Sequence, residues 1–130
     1  MEAVFPDTII SNLKERFSEQ ITLGSSNFPA IYLKADASLI PTIAEHLFEQ
    51  LSGRFVTCTA IDRRKEKGTF TVLYIFSCDK EKVFLCISAD LDPSDTIIDS
   101  ITPIIPGANW AERELNDLSG IKAHGHTDLR

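Results

Sequence analysis

The sequence predicts an α+β fold: a small mixed, largely antiparallel sheet with helices packed on it, in the order α-β-α-β-β-β-α. Three observations predict it. Two early segments, residues 8–20 and 38–51, repeat apolar residues every three or four positions, the period of an amphipathic helix. Three consecutive segments between Phe55 and Ala89 alternate at period two and are separated by short charged turns, as in an antiparallel meander. A last helical pattern begins at Asn109. At 130 residues the chain, residues 1–130, is expected to form a single domain. A chain of this size buries about two-thirds of its unfolded surface, enough for a real core. Its 43% hydrophobic and 25% charged residues are an ordinary globular composition.

Pro6-Asp7-Thr8 opens the first helix, with Asp7 at the N-cap. Ile10, Leu13, Phe17 and Ile21 line one face, and the helix is expected to end near Gln20. Gly24 to Asn27 reads as a loop. Ile31 to Ala35 reads as a short strand, and Asp36 or Ser38 caps the second helix. Pro41 is tolerated there because the first turn needs no N–H from it. Ile40, Ile43, Ala44, Leu47, Phe48 and Leu51 form a broad apolar face that Gly53 ends. His46, set among Thr42, Glu45, Glu49 and Gln50, reads as a solvated helix residue.

Phe55 to Asp62 is the first strand of the meander, and residues 63–68 its charged tip. Thr69 to Cys78 follows, with Phe70, Val72, Tyr74 and Phe76 on one face and Leu73 and Ile75 on the other, the pattern of a central strand. Val83 to Ala89 is the third. The acidic stretch Asp90 to Asp95 reads as a loop without the glycine and distal Glu of a calcium-binding hand. Asp95 is read as the cap of a short helix over Thr96 to Ile101, and Pro103-Ile104-Ile105-Pro106-Gly107 breaks the chain before the last helix.

That last helix carries the densest chemistry. Asn109 is a favourable N-cap and Glu112 stands at the third helical position, the capping-box arrangement. Glu112 and Glu114 lie in the first turn, where the helix dipole favours negative charge. Gly120 is suited to the left-handed conformation that terminates a helix. The helix is then about ten residues and roughly 15 Å long. Ala111, Leu115 and Leu118 form its apolar stripe, and Arg113 is four residues before Asp117, the spacing of a helical ion pair. Trp110 beside these charges suits a polar protein interface, where Trp and Arg are enriched.

Other function classes find little support. Lys and Arg number 13 against 19 Asp and Glu, and a net charge of −6 disfavours nucleic acid and anionic lipid as partners. No apolar run reaches the ~18 residues of a membrane span, so no direct membrane insertion is expected. The N-terminus lacks the pattern of a secretory signal, which predicts a cytoplasmic protein. Cys58, Cys78 and Cys86 form no C-x-x-C and sit in apolar strand-like runs, so they read as buried thiols. No phosphate-binding glycine motif occurs. The terminal His124-Gly125-His126 with Asp128 is the one candidate metal cluster, but it falls short of the three or four rigidly held ligands a metal site needs.

The stretch from Asn109 to Arg130 resembles the signature of the thirty-kilodalton subunit family of respiratory complex I, the NADH:quinone oxidoreductase. That family includes a subunit or domain of energy-converting membrane-bound nickel–iron hydrogenases. Glu112, Arg113, Glu114, Asp117, Leu118, His126 and Arg130 stand at its motif positions. Ser119 stands where the family has a large apolar residue, Thr127 replaces a common Pro and Asn116 a common Tyr. The resemblance implies an α+β fold and a non-catalytic structural subunit that holds no redox centre, cofactor or metal. Its partners would be the large catalytic subunit and a neighbouring iron–sulfur subunit in the peripheral arm. Membrane association would come only through the parent complex. It also implies an alternative, a domain of a fused hydrogenase large subunit. A small metal-dependent enzyme using His124 and His126 is the remaining alternative. Trp110, Glu112, Arg113, Glu114, Asp117, Gly120, His126 and Arg130 are the expected interface and motif residues. Within them, Glu114 is expected to lack a helical partner and to meet His126 or Arg130 folded back on the helix, and Ser119 is expected to weaken packing at the helix end.

Overall fold

The computed structural model describes residues 4–27 and 29–126. Helix α1, Val4–Phe17, passes through a 3-10 turn into strand β1, Ile21–Asn27. Strand β2, Ala30–Ala35, leads through a 3-10 turn into α2, Ile40–Gln50, with Pro41 in the first turn. The meander is β3, Arg54–Arg63, β4, Thr69–Cys78, and β5, Val83–Leu91. Then come β6, Ile97–Asp99, a 3-10 turn at Pro106–Ala108, α3, Asn109–Ser119, and β7, Lys122–His124. The chain is α+β, as expected.

Five strands form one sheet in the order β1-β2-β5-β4-β3. Only β2 and β5 run parallel; the other neighbours are antiparallel. The unit β2–α2–β3 thus spans the sheet, and β4 and β5 fill the gap between its two strands. Period-two alternation puts Ile31, Leu33, Val72, Tyr74, Phe76, Leu85 and Ile87 on one face. These side chains form a buried core with Leu13 and Phe17 of α1 and with Ile40, Ile43 and Leu47 of α2.

The structure moves the start of the first helix from the cap expected at Asp7 back to Val4, and it corrects four further expectations. Residues 24–27 are not a loop: they complete β1, an edge strand paired with β2 through an irregular register between Leu23 and Ser26. With Gly, Ser and Asn in place of alternating apolar residues, this strand exists through its pairing rather than its own propensity. Residues 96–101 do not form a helix. Ile97–Asp99 instead pairs in parallel with Lys122–His124, a two-stranded sheet whose halves are more than twenty residues apart. Strand β5 runs through Asp90 and Leu91, because β4 offers partners as far as Phe70.

His46 is the fourth correction. Its ring is half-buried, with Nε2 2.7 Å from Asn12 Oδ1 of α1, and it meets Phe17 edge-on at 5.4 Å. Burial, and then the charge of Arg16, lower its pKa below 6.5. A lowered folded pKa means that the unfolded chain binds the proton more readily. The stabilisation is therefore whole above the unfolded value and is lost as pH falls through the folded one. Lowering the pH from about 7 to about 5 should depress the melting temperature, and less steeply in His46→Gln. Identical slopes would show that His46 does not join the two helices.

Candidate functional site

The site is the unit from β6 to β7, which carries the signature residues. Helix α3 is entered from the Pro106–Ala108 turn, with Ala108 at its N-cap and no side-chain cap. The capping box is therefore absent, and the Asn109 Oδ1 is buried without a hydrogen bond among the described residues. At the other end Gly120 takes φ 79° and ψ 0°, the left-handed stop a Cβ would disfavour, and its N–H donates to the Asn116 carbonyl at 2.8 Å. Ser119 adds a second closure: its hydroxyl donates to the Leu115 carbonyl and accepts from the Ile121 N–H at 3.3 Å. The hydroxyl caps this helix end, a task a large apolar side chain could not perform.

Glu112 is fully buried, freed from the cap by the 3-10 entry. Its helical phase explains this, for Ala108 and Leu115, four residues before and three after, face inward with it. The carboxylate accepts from Ser100 Oγ at 2.6 Å, the Ile101 N–H at 2.8 Å and Thr102 Oγ1 at 2.6 Å. A buried carboxylate is costly unless its lone pairs are filled, and here three donors converge on it. The Thr102 N–H donates to Ser100 Oγ at 3.0 Å and tightens the same turn. The fully buried His126 side chain lies behind this clasp, with Nε2 3.2 Å from the Asn109 carbonyl and 4.0 Å from Glu112 Oε1. One carboxylate thus joins the turn after β6, the helix, and the segment after β7.

The Glu112 charge reaches the sheet. The Cys58 thiol is pushed up to about 12 by burial first, then by the charges of Glu112 and Glu114. Cys78 is raised to about 11 by burial and by Glu81 and Asp79, and Cys86 is raised by burial. Thiolates are the reactive form, so a thiol reagent at about pH 8 should label the native chain far more slowly than the denatured one. Equal rates would mean that the three strands open freely.

The opposite face of α3 looks outward. Trp110 is 64% exposed and Leu118 87%, with Glu114 and Asp117 exposed between them. The Arg113 guanidinium lies 5.0 Å from the centre of the Trp110 ring, a cation–π contact that takes the place of the expected pair with Asp117. The buried acid is therefore Glu112 rather than Glu114, and Leu118 leaves the apolar stripe for solvent. The structure brings Glu112 and His126 together, keeps Trp110, Arg113, Glu114 and Asp117 on the surface, and sets Gly120 at the turn between. Arg130, Thr127 and Asp128 lie outside the described residues. His124 is exposed, 3.6 Å from Asp99, while His126 is buried, so the two rings do not converge. No group of three or more His, Cys, Asp or Glu among the described residues is placed to hold a metal. Sequence does not single out Ser100 and Thr102; the inward helical phase of Glu112 is the available signal that donors have to meet it.

Residues 33–130 match the family described as the respiratory-chain NADH dehydrogenase 30 kDa subunit. The chain belongs to this family. Its signature helix and the Glu112 clasp both lie inside the matched residues. Hydrogenase-4 component G of Escherichia coli K12 is 27% identical over 126 residues, covering 95% of this chain and 23% of that protein. The C subunit of NADH-quinone oxidoreductase from Caulobacter sp. K31 is 35% identical over 115 residues, covering 85% of this chain and 52% of that one. The chain thus spans about a quarter to about half of these curated relatives. The solved Nqo5 fragment shares the fold with a TM-score of 0.79 at 16% identity, covering 96% of this chain and 99% of that one. The names of these relatives are those of a hydrogenase component and of an oxidoreductase subunit. No helix among the described residues is long and apolar enough to cross a membrane.

Proposed function

We propose that this chain is a non-catalytic docking subunit of a complex I-like oxidoreductase, of the NADH:quinone oxidoreductase or energy-converting hydrogenase type. It binds the large catalytic subunit in the peripheral electron-transfer arm, next to an iron–sulfur subunit, and reaches the membrane from the cytoplasm only through them. The observation that carries this reading is the outward face of α3. Trp110, stacked with Arg113 and set beside Glu114 and Asp117, is presented on a helix that the buried Glu112 clasp immobilises. An exposed Trp held against a half-buried Arg on a rigid element is the composition of an interface anchor. The cysteines suit packing rather than ligation, being buried in three different strands.

A second reading, a domain of a fused large subunit, is favoured by the match to 23% of the much longer hydrogenase-4 component G. On that reading the same helix face docks within one chain.

The test is coexpression with the large catalytic subunit of such an oxidoreductase from the same organism. Equimolar coelution through gel filtration is the expected result. Separate elution of two folded proteins at micromolar concentration would refute the docking role.

A further inference from the structure

The five-stranded sheet has two edges, β1 and β3. An edge strand presents a row of N–H and C=O groups with which another chain can pair, and proteins blunt such edges with bulges, proline or charge. Strand β1 is blunted, for its register breaks in the middle, between Leu23 and Ser26. Strand β3 is left open. Its register shifts near its start, between Phe55 and Thr57, and from Thr57 to Arg63 it then pairs with β4 without a break. Residues 55–61 include no charge, glycine or proline. Val56 is 43% exposed and Ile61 38%, and Thr59 between them is exposed as well. Among the described residues no strand lies beyond β3, and no backbone group outside the sheet bonds to residues 57–62.

The chemistry of this edge selects its occupant. Apolar side chains accept many shapes, but a row of alternating N–H and C=O groups accepts an extended chain at the strand spacing of about 4.8 Å. Thr57, Thr59 and Ile61 alternate with Cys58 and Ala60, and the cross-strand partners of the latter two, Tyr74 and Val72, are in the core. The three β-branched residues therefore share the face turned away from the helices, where they suit cross-strand pairing. Helix α3 packs on β3, so the open edge and the docking helix stand side by side.

We propose that β3 is an acceptor strand: the partner subunit that covers α3 also lays an extended segment along residues 57–62, as a sixth strand of the sheet. This rests on the reading of the chain as a docking subunit. Main-chain bonds hold the segment, and β-branched or aromatic residues beside Thr57, Thr59 and Ile61 select it. A second copy of this chain fits less well. Antiparallel pairing over the same residues would crowd two α3 helices onto strands about 5 Å apart, where packed helices need about 8–10 Å. It would also bring the exposed carboxylates of Glu114 and Asp117 from both copies together.

The experiment measures amide exchange of the full chain, once purified alone and once in its native assembly, each amide being read by NMR after labelling and dissociation. Along β3 every second amide points away from β4. In the chain alone these should exchange fast. In the assembly they should slow about tenfold or more, the effect of one added backbone hydrogen bond. This alternation is the signature, because a partner lying on the sheet face would slow neighbouring amides alike. Benzoyl-phenylalanine at position 61 should cross-link to the same subunit as at position 110. Copurification with a partner while the outward amides stay fast would refute the acceptor strand and leave the subunit reading standing. Slowing in the chain alone, with cross-links from 61 to a second copy, would give the edge to this chain itself and refute the proposal. Cross-links from 61 to a subunit that 110 does not reach would refute the shared partner. A chain that copurifies with no other subunit would overturn both readings.

Discussion

Glu112→Ala should lower the stability of the chain by about 3–5 kcal/mol, the cost of removing one partner from a buried charged network. For 130 residues that is roughly 15 °C in melting temperature. The side chain is fully buried and accepts three hydrogen bonds. Alanine leaves the hydroxyls of Ser100 and Thr102 and the N–H of Ile101 without an acceptor in an apolar setting, and it leaves a cavity beside Leu115. Glu112→Gln keeps the shape and one carbonyl acceptor, and the hydroxyls can turn to accept from its NH2, so about 1–2 kcal/mol should be lost. Urea unfolding reports both values. Amide exchange locates them: residues 97–102 and 121–124 should lose protection before the five-stranded sheet does, because β6 and β7 pair only with each other. A Glu112→Ala variant within about 1 kcal/mol of the parent would show that the clasp is not formed.

Trp110→Ala should separate docking from folding. The ring is 64% exposed and its specific contact among the described residues is the Arg113 stack, so stability should change by no more than ~1 kcal/mol. Affinity for the large catalytic subunit should fall about 30- to 1000-fold, the range of a Trp anchor buried in an interface. Leu118→Ala, on the same side of α3, should have a smaller effect in the same direction. Calorimetric titration against the large subunit measures both. An unchanged affinity together with an unchanged melting temperature would place the interface elsewhere and remove the support for α3 as the docking element.

Much of the fold is legible in the residues alone. The meander between residues 54 and 91 follows from alternation and charged turns, since the side-chain period of a strand is local. Helix α2 follows from its apolar face, and α3 ends at Gly120 for the reason its lack of a Cβ supplies. Seven residues of fixed type and spacing within the C-terminal stretch carry the family, a signal independent of fold. The signature residues stand out by type and spacing, but their tasks do not. Local rules make Glu112 a cap, Leu118 apolar lining and Arg113 the partner of Asp117, and the structure gives each another task.

The difference lies in which partners are local. Helical phase and turn chemistry involve residues within about four positions, and sequence determined those. Strand β1 has little alternation and takes its structure from β2, while β6 and β7, three residues each, exist only because each meets the other across the whole of α3. The same distance governs Glu112. Its donors stand ten to twelve residues earlier, in a turn whose place is set only once β6 and β7 have paired. Burial then makes the choice: a carboxylate drawn out of water must be met by donors, and tertiary structure alone brought Ser100, Ile101 and Thr102 to it.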